Sequence, residues 1–332
     1  MKFHYLIEGL RRNNIGDVLQ GMVARQFLPA SSTVIDREKT AEMSPVIPSL
    51  LLANGWFIHD RRSFPPPDAV TPLYFSVHID NLRWLRRPEV RAHLRRHAPI
   101  GCRDRKTMLL LWGWGIPAFY SGCLTLTTNT LEIPDLPRSG EQLFVDGVDH
   151  PMPTEVIKRL EHLLGGSFTR ISHDPPDPGG AFDDYCEHGS RVMTGLLARY
   201  KAADLVVTSK IHCALPCLAL GVPVLLVHPH TREWRLDPVR ELMHIWSYEE
   251  VLAAEQLPLP VVRKDLLQHR RRRLVELVRT SVERQCNAAQ HPENISQHWL
   301  KWWAVIAATI SGRAVAFGRH LPLVRAKLSR WF

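Results

Sequence analysis

Residues Leu205 to Val227, LVVTSKIHCALPCLALGVPVLLV, decide the fold. An apolar run from Leu205 to Thr208 leads into a polar elbow (Ser209, Lys210, Ile211, His212) and a small-residue helix from Cys213 to Leu220. Gly221, Val222 and Pro223 break that helix, and a second apolar strand runs from Val224 to Val227. Short β-branched and leucine runs on either side of a helix are what parallel strands buried on both faces require. In such sheets ligands sit beyond the carboxyl ends of the strands, where helix N-termini point. Lys210 and His212 therefore stand at a ligand mouth, as a fixed cation and a titratable imidazole. For an isolated Lys-x-His, a helix cap beside a core histidine is the plainer reading. The surrounding chain decides between the two.

Upstream, a strand over Phe3 to Ile7, a loop GLRRNNIGD and a helix over Val18 to Leu28 form a first βα unit. Asp17 suits the N-cap of that helix. Arg11, Arg12, Asn13 and Asn14 make a basic, amide-rich loop over a helix N-terminus, which suits an anionic or hydroxyl-rich ligand. Strands follow at Ser32 to Ile35, Leu50 to Leu52 and Leu73 to His78, with NGWFIHD (Asn54 to Asp60) expected as a loop. Pro88 to His97 reads as a basic helix, Arg103 to Trp112 as another and Ile116 to Tyr120 as a strand. The run Gly113 to Ala118, GWGIPA, mimics a dinucleotide fingerprint, but it follows a helix and precedes a strand, which is the reverse of the order required.

A proline-rich linker over 131–140 separates this unit from a second alternation that begins at Gln142. It runs through a helix over Thr154 to Leu164, a strand over Phe168 to Ser172, a Pro/Gly loop (Asp174 to Gly180) and a helix over Ser190 to Lys201. The opening stretch then follows, and after it a mouth loop, Arg232 to Leu242, with Trp234, Arg235 and Asp237. The expected fold is α/β: two Rossmann-like domains facing a cleft in the GT-B manner, at 1–130 and 141–262, with a basic, aromatic helical extension at 263–332.

The formal net charge of +9 is unevenly placed. Residues 261–332 hold 14 Lys/Arg against 4 Asp/Glu, so the first 260 residues together carry about −1. A nucleic-acid-binding core is not expected. The extension joins a basic helix over Arg263 to Cys286 with Trp299, Trp302, Trp303, Trp331 and Phe332. Its apolar run, Trp302 to Ile310, is half of what a bilayer span needs. Tryptophans beside cations suit a helix lying in a membrane interface; the alternative is a helix packed on the protein. Six cysteines without a CxxC pair read as free thiols in a reducing cytosol. The apolar run of MKFHYLIEGLRR is too short for a signal peptide, and no Asp/Glu/His cluster calls for a metal. A cytoplasmic protein, peripheral at the membrane's inner face, is expected.

Six stretches in order resemble the polysaccharide pyruvyl transferase family, of the bacterial exopolysaccharide ketal type. They are NNIGD (Asn13 to Asp17), NGWFI (Asn54 to Ile58), SVHID (Ser76 to Asp80), IGCRDRKT (Ile100 to Thr107), SGCLTLT (Ser121 to Thr127) and VVTSKIHCALPCLALGVPV (Val206 to Val224). The chain departs from the family at Lys210-Ile211-His212, where Arg-Leu-His is common, and a lysine lacks the bidentate fork. The resemblance implies transfer of the enolpyruvyl group of phosphoenolpyruvate to a sugar, giving a pyruvate ketal and phosphate, without a cofactor or metal. It implies Lys210, Arg103, Arg105 and Ser209 as donor-binding residues. His212 is the expected acid, with Asp17 or Asp104 as base. Asn13, Asn14, Gly16, Asn54 and Trp56 would hold the sugar, which is expected on a polyprenyl-linked oligosaccharide. Two other readings remain: a nucleotide-sugar glycosyltransferase of GT-B type, and a non-catalytic, membrane-docked subunit of an envelope-polymer assembly.

Overall fold

The computed structural model describes residues 1–10, 13–57, 63–146, 151–174 and 176–290, the side chains of 82 and 288–290 excepted. Arg11, Arg12, Ile58 to Asp60 and the tryptophan-bearing end of the tail lie outside the described residues. Among the described residues ten strands form two sheets, and every paired strand is parallel. The first holds β1 (Lys2–Ile7), β2 (Thr33–Asp36), β3 (Ser49–Phe57), β4 (Val70–Ile79), β5 (Ile100–Cys102) and β6 (Ala118–Tyr120), in the order β2-β1-β3-β4-β5-β6. The second holds β7 (Gln142–Asp146), β8 (Thr169–Ser172), β9 (Leu205–Thr208) and β10 (Val224–Leu226), in the order β10-β9-β7-β8. In both sheets the first strand lies between the second and the third, and that reversal of winding opens a crevice at the carboxyl ends.

β3 shows why these runs are apolar throughout. Leu50 and Leu52 pack into one core cluster, and Leu51 and Ala53, on the opposite face, pack into another. The first cluster is shared by both sheets. It joins Leu50, Val18 and Leu19 to Val145, Val206 and Leu215, so the two halves meet through apolar packing as well as through their loops.

The helices that carry the site are α1 (Ile15–Arg25), α4 (Arg105–Gly113), α7 (Ile211–Leu220) and α8 (Asp237–Arg240). α2 (Leu82–Leu85), α3 (Pro88–Arg96), α5 (Thr154–Leu164), α6 (Phe182–Ala202), α9 (Tyr248–Ala253) and α10 (Lys264–Gln290) complete the set among the described residues. Several boundaries move from expectation. Asn14, and not Asp17, caps α1, its side chain accepting the Gly16 N–H at 3.1 Å. β3 runs on through Phe57, so Asn54 and Trp56 lie on a strand. α6 begins eight residues earlier than its apolar pattern announces. α10 packs Leu267, Leu274 and Val278 into the shared core while Arg272, Arg279 and Arg284 stay exposed. The first part of the expected interfacial tail is thus anchored on the protein. No helix among the described residues is long and apolar enough to cross a membrane. All six cysteines are free.

Candidate functional site

The crevice has a floor of paired charge, in which the buried Arg37 Nε lacks a partner. Arg37, just past β2, is 2% exposed and forms ion pairs with Glu8, just past β1, and with Asp17 of α1 at 3.4 Å. Burial alone would lower the Arg37 pKa, but Asp17 and Glu8 outweigh it and raise the value. Asp17 also accepts from Gln20 Nε2 at 2.6 Å and from Asn14 Nδ2 at 2.8 Å, so both its oxygens are occupied. Gly55 makes room for this arginine: at φ +98 it breaks the β3 register, and a Cβ there would lie 2.4 Å from Arg37 Nη1. Asn54 donates to the Gln20 carbonyl at 2.8 Å, while its buried Oδ1 has no partner.

Directly beside the floor the charges are unsatisfied. Arg103 follows β5 and is 3% exposed, yet no carboxylate among the described residues pairs with its guanidinium and its Nε has no partner. Burial pushes its pKa below the usual arginine value; Arg235 adds to that push, and Cys123, Asp104 and Asp17 oppose it. His212 lies on the first turn of α7, its ring against Gly16 at the start of α1, where an added Cβ would stand 2.9 Å from Nδ1. Its Nε2 is buried without a partner. Burial, and then Arg103, His173, Arg235 and Arg37, hold the His212 pKa well below the usual histidine value, so the ring is neutral at neutral pH.

His173, immediately past β8, is fully buried and lies beside His212. Its carbonyl accepts the Ile15 N–H at 3.3 Å, joining the start of α1 to the second sheet. Its Nε2 is also buried and unpartnered, and burial followed by Lys210 pushes its pKa down to about 3. A guanidinium without an ion pair, two neutral imidazoles and the N-termini of α1 and α7 converge here. Such an arrangement takes a compact anion.

The other expected residues divide. Lys210 stands at the N-cap position of α7 and reaches Asp174 at 3.4 Å. Ser209 donates to Asp146 at 2.8 Å. Arg105 is engaged elsewhere: it pairs with Glu241, its backbone N–H reaches Asp237 at 3.0 Å, and its guanidinium lies 4.7 Å from the Tyr120 ring. It ties α4 to α8. Asn13 is exposed at the loop, Asn14 serves as the cap, and Gly16 gives close approach to His212. Trp56 meets Arg235 from the second half of the chain at 5.4 Å and the His78 ring edge-on at 5.2 Å. Asp104 is completely buried, caps α4 through Thr107 N at 2.8 Å, and binds His78 Nδ1 at 2.6 Å. Arg37, His78 and His173 were not singled out from the sequence. His78 alone carried a signal, within SVHID. Among the described residues no group of three or more His, Cys, Asp or Glu is arranged to hold a metal ion.

The fold is α/β, and a buried arginine and two buried imidazoles gather at the carboxyl ends of its parallel strands. The family model for polysaccharide pyruvyl transferases matches residues 14–230, about two-thirds of the chain, and the protein belongs to that family. No curated protein matches the chain.

Proposed function

We propose that the protein transfers the enolpyruvyl group of phosphoenolpyruvate to two hydroxyls of one sugar in a polyprenyl-linked repeat unit. The product is a cyclic pyruvate ketal, and phosphate is released. The observation that carries this reading is the buried, unpaired guanidinium of Arg103 beside the unpartnered Nε2 of His212. The donor presents a carboxylate and a phosphate, the two groups a guanidinium grips best. Its negative charge opposes the field of Arg103, Arg235 and Arg37, which helps hold His212 neutral, so donor binding lifts the His212 pKa and loads the ring with a proton.

Protonation of the donor's methylene carbon makes C2 electrophilic. The first hydroxyl adds, phosphate departs, and the second hydroxyl closes the ring. Of the two hydroxyl protons lost, one is balanced by the new methyl group and the other leaves with phosphate. His212 supplies the proton to carbon, Arg103 holds the anion, and Lys210 and Ser209 stand at the same helix start. Trp56, with Asn13 and Asn54, offers the sugar a stacking face and amide partners.

The two sheets act as two Rossmann-like units about a cleft, 1–130 on the acceptor side and 141–262 on the donor side. The tail's net charge of +10 favours an anionic leaflet, at about 1 kcal/mol per basic residue near the surface. That charge supports a position at the inner face of the cytoplasmic membrane, where a lipid-linked acceptor would be met. The test supplies purified protein with host membranes and either phosphoenolpyruvate or a nucleotide sugar. Phosphate release from the first, with a ketal found by mass spectrometry of the lipid-linked product, is the expected result; nucleoside diphosphate release from the second overturns the reading. His212→Ala abolishes transfer while leaving donor binding within about threefold, because the acid acts mainly in the transition state.

A further inference from the structure

Resting on that reading, we propose that His78, held by Asp104, is the catalytic base that takes the proton from the acceptor's attacking hydroxyl. The two carboxylates available from the sequence are both engaged. Asp17 is committed to Arg37, Gln20 and Asn14. Asp104 accepts from Thr107 N and, at 3.1 Å, from Thr107 Oγ1, in addition to His78. Neither oxygen pair is offered to a substrate. What the buried Asp104 does offer is an orienting contact, with Oδ2 at 2.6 Å from His78 Nδ1.

The protonation states follow from the surroundings. Burial works to raise the Asp104 pKa, but the His78 contact, Thr107 and Arg103 lower it overall, so the carboxylate is ionised. Burial holds the His78 ring neutral against the pull of Asp104 and Asp80, with Arg103 adding to the burial effect. A neutral ring donating from Nδ1 to a carboxylate has its lone pair on Nε2. No described residue hydrogen-bonds that Nε2. Thr107 locks the arrangement by binding the Ile79 N–H at 3.0 Å as well as Asp104.

The place is right for an acceptor. His78 is paired in register with Trp56, the edge-on ring contact between them is 5.2 Å, and Arg235 covers Trp56 at 5.4 Å. The neighbouring residue, Val77, accepts the Arg103 N–H at 2.8 Å, so the base stands one strand from the donor's cation. Two residues earlier Ser76 sits at φ 57 with its hydroxyl unpartnered, a left-handed kink in the strand that delivers His78. In the step, the hydroxyl O–H bond breaks, its electron pair forms the bond to C2 of the donor, and the proton passes to Nε2. It leaves with the departing phosphate.

The experiment uses the full chain with phosphoenolpyruvate and host membranes. His78→Gln should lose about 100-fold or more of transfer rate while donor affinity, read by calorimetry, stays within about threefold. Asp104→Asn should lose less and move the acid limb of the pH–rate profile, which loss of packing alone would not do. Imidazole should restore part of the rate to His78→Gly. Wild-type turnover and an unshifted profile in His78→Gln overturn the proposal alone; a wild-type protein that releases no phosphate overturns the function reading beneath it. Nitrogen NMR of the wild-type histidines gives a check independent of folding in the variants: a neutral Nδ1–H tautomer at pH 7.5 is expected, and an Nε2–H tautomer or a charged ring contradicts the assignment.

Discussion

Arg37 and Arg103 are two buried guanidiniums at the ends of strands of one sheet, and their surroundings are opposite. Arg37 has two carboxylates and an amide network around it; Arg103 has no ionic partner among the described residues. A buried ion costs several kcal/mol unless its partners offset that cost. The chain carries the cost at Arg37 internally and leaves it outstanding at Arg103. The difference separates a paired cation from an unpaired one, which the proposed function assigns to the donor, and composition and motif spacing do not make that distinction.

The comparison breaks first at Arg37. Arg37→Met strands two buried carboxylates and should cost about 3–5 kcal/mol of unfolding free energy in urea titrations, whereas Arg103→Met should not destabilise the fold at all. Equal losses in both variants would mean that the two arginines do the same work.

Acid sharpens the contrast next. His93, His97 and His173 have pKa values pushed down to about 3, about 4 and about 3, chiefly by burial. The unfolded chain binds protons near pH 6.5 and the native one does not. Stability is therefore complete above that pH and falls as pH drops from 6.5, by at most about 1.4 kcal/mol per pH unit for each group, down to about pH 3 for His93 and His173 and about pH 4 for the less buried His97. Unfolding midpoints measured between pH 7 and 4.5 should show this slope, and a flat profile would contradict the burial of these rings.

The smallest effect is at the rim. Arg105 is 41% exposed in its bridge to Glu241, so Arg105→Ala should cost about 1 kcal/mol or less and leave donor affinity unchanged. A marked loss of donor affinity would return it to the binding site.

Much of this was legible in the sequence, and what was not has physical causes. The strand Leu205 to Thr208 and the helix Thr154 to Leu164 fall where the apolar runs and breakers place them, because both are bounded by residues that leave no alternative. Asn54-Gly55 reads as a turn, yet Gly55 serves a strand whose bulge admits Arg37. The start of α6 is hidden in the sequence because its first turns are polar and acidic, with fully buried positions confined to Tyr185, Cys186 and Gly189. Arg103 and His212 were visible within motifs. Arg37 and His173 follow short strands with no motif of their own, and only the fold brings them to the crevice. Asp104 was legible as a reactive carboxylate, and its commitment to His78 was not, since 26 residues separate the two.

The central claim is that Arg103 is the cation held ready for the anionic donor. Calorimetric titration of phosphoenolpyruvate into the wild-type protein and into folded Arg103→Met tests it most directly. Losing one partner of a buried, charge-assisted contact is worth about 2 kcal/mol or more, so the variant should bind the donor at least about 30-fold more weakly. Equal affinity in the two proteins would contradict the claim and place the donor elsewhere.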